Sequence, residues 1–189
     1  MENHLNMKFK VSSSSDDDLI YRNNISKVFR PTVDLREWDT LIEDQQWLGS
    51  CSSTALTSAY ELMVKISNPD KYVELSDLFI YYNARVKEGS VDKDNGIYIR
   101  SGLEVMKEYG VCEESLWPFD LEKWDDKPSN EAYENAKKRT ISNYKKLTSI
   151  YYITEVLNDN KPIVFGIEIY DSFMELDESI NKVSFLFFT

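Results

Sequence analysis

The chain has 189 residues, with 33 aspartates and glutamates against 22 lysines and arginines, for a formal net charge of -11. That balance excludes a phosphate-gripping nucleic-acid surface, which needs clustered cations. A single histidine, His4, and two cysteines exclude a histidine-rich metal site, a four-cysteine zinc site and a disulfide scaffold. With 42% hydrophobic and 13% aromatic residues, the chain has the material for a packed core. No run of about 18 apolar residues suggests a membrane span, and the N-terminus lacks the basic-then-apolar pattern of a secretory signal. The expected setting is therefore intracellular and reducing, with both cysteines as free thiols.

In chain order, residues 1–30 are polar and biased, with Ser12 to Ser15 followed by Asp16, Asp17 and Asp18. Such a run buries too little apolar surface to offset its ordering entropy, so a solvated, disordered leader is expected. Composition changes at Pro31, where a globular domain is expected to begin and run to residue 189. Residues 51–66 read as a helix, with Ala55, Ala59, Leu62, Met63 and Ile66 at three- and four-residue spacing. Ser50 is its candidate N-cap, and Asn68-Pro69 ends it. Residues 76–86 read as a second helix, with Leu78, Phe79, Tyr82 and Val86 on one side and Gly89 beyond. Residues 99–109 read as a third, with Leu103, Met106 and Tyr109 in phase, and Gly110 stands where a C-terminal cap needs positive φ.

Trp117-Pro118 marks a turn or extended segment, residues 130–139 are polar and helix-prone, and 149–158 form a short helix with Ile153, Val156 and Leu157 apolar. The strongest strand signal is residues 162–170, where Ile163, Phe165, Ile167 and Ile169 alternate. Helices first and a strand late point to an α+β fold with segregated halves.

Chemistry concentrates in Asp44-Gln45-Gln46-Trp47-Leu48-Gly49-Ser50-Cys51-Ser52-Ser53. A cysteine in the first turn of a helix meets unpaired N–H groups and the positive end of the helix dipole, both of which favour thiolate. Gly49 permits close backbone approach just before it, and Gln45, six residues upstream, supplies an amide N–H for a developing oxyanion. The competing reading is a buried structural cysteine.

This segment resembles the active site of papain-like cysteine peptidases, in a branch with Leu-Gly-Ser-Cys at the nucleophile. The resemblance continues in order. Pro31-Thr32-Val33-Asp34-Leu35-Arg36 is similar to the start of the mature enzyme, and Leu75-Ser76 with Phe79-Ile80-Tyr81-Tyr82-Asn83-Ala84-Arg85 to the next helix. Gly110-Val111-Cys112-Glu113-Glu114 with Trp117-Pro118-Phe119 resembles the link to the second half, and Lys161-Pro162-Ile163-Val164-Phe165-Gly166-Ile167 its first long strand. The resemblance implies a two-lobed α+β fold, with a complete helical lobe, a truncated β lobe and a cleft between them. It implies Cys51 as nucleophile, Gln45 at the oxyanion hole, and Gly49, Ser50 and Gly96 as substrate-binding positions. It implies no cofactor and no metal, and a peptide or protein as substrate.

The family's second half also carries a histidine within a Gly-His-Ala type segment, and then an asparagine that orients it. Here Ser172-Phe173-Met174-Glu175 and residues 176–189 follow instead, without a histidine, and Asn181 lacks the matching context. The histidine holds the thiolate and protonates the leaving amine, and general acid–base catalysis is typically worth about 10²–10⁴-fold. The expectation is thus an incomplete peptidase sequence, weakly active or inactive, with a peptide-binding pseudopeptidase as the alternative. His4 lies in the leader with nothing to fix it near Cys51. The apolar run Val183-Ser184-Phe185-Leu186-Phe187-Phe188 is an aggregation hazard if its edge stays unpaired.

Remaining candidates read more simply. Cys112 is expected in the core. Gly96 is a lone glycine where the family has a pair. Ser52 stands where papain has tryptophan. Glu113-Glu114 and Asp125-Asp126 read as solvated loop charges. Asp92-Lys93-Asp94-Asn95-Gly96 reads as a tight turn, since a calcium loop would need glutamate where Leu103 stands.

Overall fold

The computed structural model describes residues 10–15, 18–23 and 28–167, and the structural statements below concern those residues. Five α-helices follow in order: α1 (Cys51–Ser67), α2 (Asp77–Glu88), α3 (Ile99–Glu108), α4 (Asn130–Ala136) and α5 (Ile150–Asn158), with short 3₁₀ turns at Arg36–Trp38, Pro69–Lys71 and Glu114–Leu116. Three of them are opened by serine hydroxyls that accept the N–H three residues on: Ser76 from Phe79, Ser129 from Ala132 and Ser149 from Tyr152. α2 ends at Gly89 with φ +65°, the left-handed geometry that glycine adopts without strain. Gly110, φ +83°, follows the Tyr109 C-cap of α3 as expected.

α2 is the centre of the core. Leu78, Phe79, Ile80, Tyr81 and Ala84 are all fully buried, and α1 and α3 pack on it and on each other. Phe79 meets Tyr133 of α4 edge-on at 5.1 Å. Arg85 is fully buried as well. Its guanidinium lies 4.1 Å from the Tyr81 ring centre and 4.5 Å from that of Trp124, and it donates to the carbonyls of Val91 and Trp124. Two aromatic faces and backbone acceptors replace the water a buried cation would lose.

The buried stripe of α1 is not the one its apolar spacing suggests. Ser52, Ser53, Leu56, Thr57, Glu61 and Leu62 face inward, while Met63 is 46% exposed. The interior supplies most of these polar side chains with partners, although Glu61 Oε2 is buried without one. Ser52 Oγ donates to Ile97 O, Thr57 Oγ1 to the Asp77 carboxylate, and Glu61 Oε1 accepts from Leu75 N at 2.7 Å. α4 stops at Ala136 rather than at 139, since Lys138 and Arg139 turn tightly on the carbonyls of Asn135 and Ala136.

Residues 162–167, the described part of the expected strand, join no ladder among the described residues; 168–170 lie outside them. Phe165 and Ile167 are 47% and 55% exposed. Alternation prepares a strand, but ladder pairing makes one, and no bridge among the described residues reaches 162–167. β structure is confined to single bridges, parallel at Lys10–Tyr98 and Ile20–Lys146 and antiparallel at Leu75–Glu113.

Described parts of the leader lie on the helices. Lys10 pairs with Glu88 at 2.7 Å, Asp18 accepts from Arg100, and Arg30 donates to the Asn158 carbonyl and to Asn160. Glu113 and Glu114 are not solvated charges. Glu113 is held by Arg139 and Asn135, and Glu114 accepts from the Phe119 N–H. No helix among the described residues is long and apolar enough to cross a membrane.

Candidate active site

Cys51 opens α1, with Ser50 at the N-cap position. Ser50 caps without its side chain. Its Oγ is buried without a hydrogen-bond partner, and its carbonyl takes the N–H groups of Ser53 and Thr54 and the Ser53 hydroxyl.

The loop ahead of Cys51 is shaped by its own side chains. Gln46 has φ +51°, an unusual conformation for a residue with a side chain, and the Asp44 carboxylate supports it by accepting the Gln46 N–H at 2.8 Å. Gln45 Nε2 donates to Leu48 O at 2.7 Å, while Leu48 N–H returns to Gln45 O. One amide hydrogen of Gln45 is thereby committed to the loop, and the other remains for a ligand. Leu48, fully buried, anchors the loop to the core, and Trp47 beside it is half exposed.

Gly96 is brought to the same place. It is buried with φ +73°, and residues on either side of it bond to the segment around Cys51. Asp94 Oδ1 accepts the Gly49 N–H at 2.9 Å, and Ile97 O accepts the Ser52 hydroxyl at 3.2 Å. Sequence reasoning had placed Gly96 here only by resemblance and missed Asp94 altogether, which stood inside an apparent turn. Ser52 was singled out only as standing where papain has tryptophan; its tie to Ile97 O leaves no local signature.

Cys51 is partly buried, and this burial pushes its thiol above the ordinary range. Hydrogen bonds from the side chain and backbone of Ser52 pull the other way and do not prevail. Desolvation thus outweighs these hydrogen bonds, and burial opposes the thiolate that a helix start favours. No charged partner among the described residues acts on it: none of them is a histidine, and His4 and Asn181 lie outside them. Cys112 is fully buried, as expected, and its thiol is pushed up to about 12 by burial. No group of three or more potential ligands among the described residues could hold a metal ion.

The sequence profile of the papain family cysteine proteases matches residues 30–185. An uncharacterized peptidase C1-like protein of Acanthamoeba polyphaga mimivirus is 37% identical over 166 residues, covering 80% of this chain and 53% of that protein. Among solved structures, xylellain, a cysteine protease from Xylella fastidiosa, superposes with a TM-score of 0.74 at 27% identity, covering 86% of this chain and 66% of its own. A digestive procathepsin L 3 of Tenebrio molitor larval midgut shares the fold, with a TM-score of 0.63 at 18% identity over 84% of this chain and 49% of that one. The chain thus spans between about half and two thirds of the proteins it matches, and within that span it belongs to the papain family of cysteine proteases.

Proposed function

We propose that this chain carries the nucleophile side of a peptide-bond-hydrolysing site, on a unit that begins near residue 31. Cys51 Sγ attacks the peptide carbonyl carbon, and the Gln45 amide and the Cys51 N–H hold the oxyanion. The C–N bond then breaks, the amine leaves with the proton given up by the Cys51 thiol, and water releases the acyl group from sulfur as a carboxylic acid, returning a proton to the thiol. Gly49, Ser50 and Gly96 border the peptide. The observation that carries this reading is Cys51 at the start of α1 with the Gln45 loop folded directly ahead of it.

With its thiol raised and no imidazole beside it among the described residues, the chain by itself hydrolyses peptides weakly or not at all. Efficient turnover requires a histidine at Cys51 that the described residues do not contain. The same raised thiol supports a second reading, a pseudopeptidase that binds a peptide or protein without cleaving it.

Treatment of the chain with a peptidyl epoxide, read by intact mass and peptide mapping with Cys51→Ala as control, tests both. Modification confined to Cys51 is expected, at a rate that climbs from pH 7 to 9 as the thiolate fraction grows. A plateau extending to acidic pH would mean that an imidazole does pair with the thiolate, and would overturn the weak-activity reading. Saturable binding of the probe without modification would favour the pseudopeptidase.

A further inference from the structure

The loop before Cys51 and the loop ending at Gly96 are irregular, so no ladder of backbone bonds fixes one against the other. They meet through Asp94. Its Oδ1 accepts both the Gly49 N–H, two residues before the nucleophile, and the Tyr81 O–H. A carboxylate is an acceptor only, and bonds to an ionised acceptor are roughly twice as strong as neutral ones.

The far end of this contact is rooted in the core. Tyr81 has no exposed surface, and its ring lies under the Arg85 guanidinium, itself stacked on Trp124 and bonded to Val91 O. On the other side of Gly96, the Ser52 hydroxyl to Ile97 O bond ties the first turn of α1 to the same loop. Gly96 is therefore flanked by two ties to the nucleophile segment, one made by a side chain of the glycine loop and one by a side chain of α1.

We infer that Asp94 is a positioning residue: it fixes the register between Cys51 and the Gly96 edge along which a peptide lies, by holding the Gly49 N–H against the Tyr81 anchor. The inference rests on the proposed peptide site, since register matters only if a peptide is held at Gly96. A misplacement of about 1 Å at a reacting centre can cost about 10²-fold in rate, so a tie of this kind is expected to appear in reactivity toward a peptide more than in stability.

The test compares the full chain with Asp94→Ala and Asp94→Asn. Asparagine keeps a side-chain oxygen that accepts both bonds but loses the charge. Three readouts are taken: inactivation of Cys51 by a peptidyl epoxide resolved into kinact and KI, alkylation of Cys51 by iodoacetamide, and hydrogen exchange of the assigned Gly49 amide by NMR. In Asp94→Ala, kinact/KI for the peptidyl probe is expected to fall by about tenfold or more, while the iodoacetamide rate changes by less than about twofold, because a small reagent needs no register. Gly49 exchange is expected to accelerate in Asp94→Ala and to return toward the parent in Asp94→Asn.

Equal losses toward both reagents, tracking a drop in melting temperature, would reduce Asp94 to a structural residue and overturn the inference. Unchanged Gly49 exchange in Asp94→Ala would overturn it too. If the parent chain does not react with the peptidyl probe at all, the peptidase reading fails and the register role fails with it. Gly49 exchange then still reports whether Asp94 ties the two loops, so the two failures are told apart.

Discussion

Cys51 and Cys112 share a chain and differ in almost everything that sets thiol reactivity. Cys51 is partly exposed at a helix start, whereas Cys112 is sealed in the core with its thiol pushed up to about 12. At pH 8, Cys51 is expected to react with iodoacetamide at least tenfold faster than Cys112, a difference peptide mapping resolves and denaturant abolishes. Comparable rates in the folded chain would remove Cys51 from the surface and with it the proposed nucleophile. The position of Cys51 was legible because helix starts are written locally, in the Leu48-Gly49-Ser50 approach and the periodic residues beyond. Its ionisation was not, because the sequence shows the helix terminus that favours thiolate but not the burial that opposes it. Asp94 was illegible for another reason: its partners, Gly49 and Tyr81, stand 45 and 13 residues away, and nothing in a turn-like segment announces them.

At the level of elements, helix existence followed from local patterns, while the buried faces were decided by neighbours. α1 turns serines, a threonine and a glutamate inward because Ile97, Leu75 and Asp77 are there to receive them. The junctions between elements are tight. A Cβ at Gly102 of α3 would stand 2.4 Å from Leu56 Cδ1, and one at Gly110 would stand 2.0 Å from the Ala136 carbonyl oxygen. The first obstacle is the end of a flexible side chain, and the second is backbone. Gly110→Ala also forces a side-chain residue into positive φ, which alone costs about 1–2 kcal/mol. Adding the displaced α4 backbone, we expect a loss of at least about 2–3 kcal/mol in denaturant unfolding, more than Gly102→Ala, where Leu56 can shift. The reverse order would mean that the junction between Gly110 and the end of α4 yields more readily than the α1–α3 packing.

Across the described residues, four carboxyl groups are buried or half-buried with no cation among the influences on them. Burial, reinforced by neighbouring acidic groups, raises Glu61 to about 8, Glu114 to about 7, Glu43 to about 7 and Asp77 to about 6. Each then holds its proton in the folded chain at pH values where the unfolded chain, with ordinary carboxyl groups, has released it. Between about pH 4 and 8 the native state binds more protons, so stability falls as pH rises. The melting temperature is expected to be higher at pH 5.5 than at pH 8. Glu61→Gln, which keeps an oxygen for the Leu75 N–H, should flatten that slope and raise the melting temperature at pH 8. A melting temperature that rises with pH would mean these groups are ionised in the fold. The acidic composition foretold the charge but not its burial. Family membership, by contrast, was legible over most of the chain because ordered motifs survive where pairwise contacts cannot be guessed. The leader contacts carry a different consequence, one of timing. Asn23 bonds to Glu155 and Lys146 to Ser14, each across 132 residues. On a ribosome adding about 5–20 residues per second, some 7–26 s separate the emergence of such partners. Ser14 and Asn23 are therefore made well before the residues they dock on, and for that interval it is their segment, rather than the helices, that stays open to whatever else the cell presents.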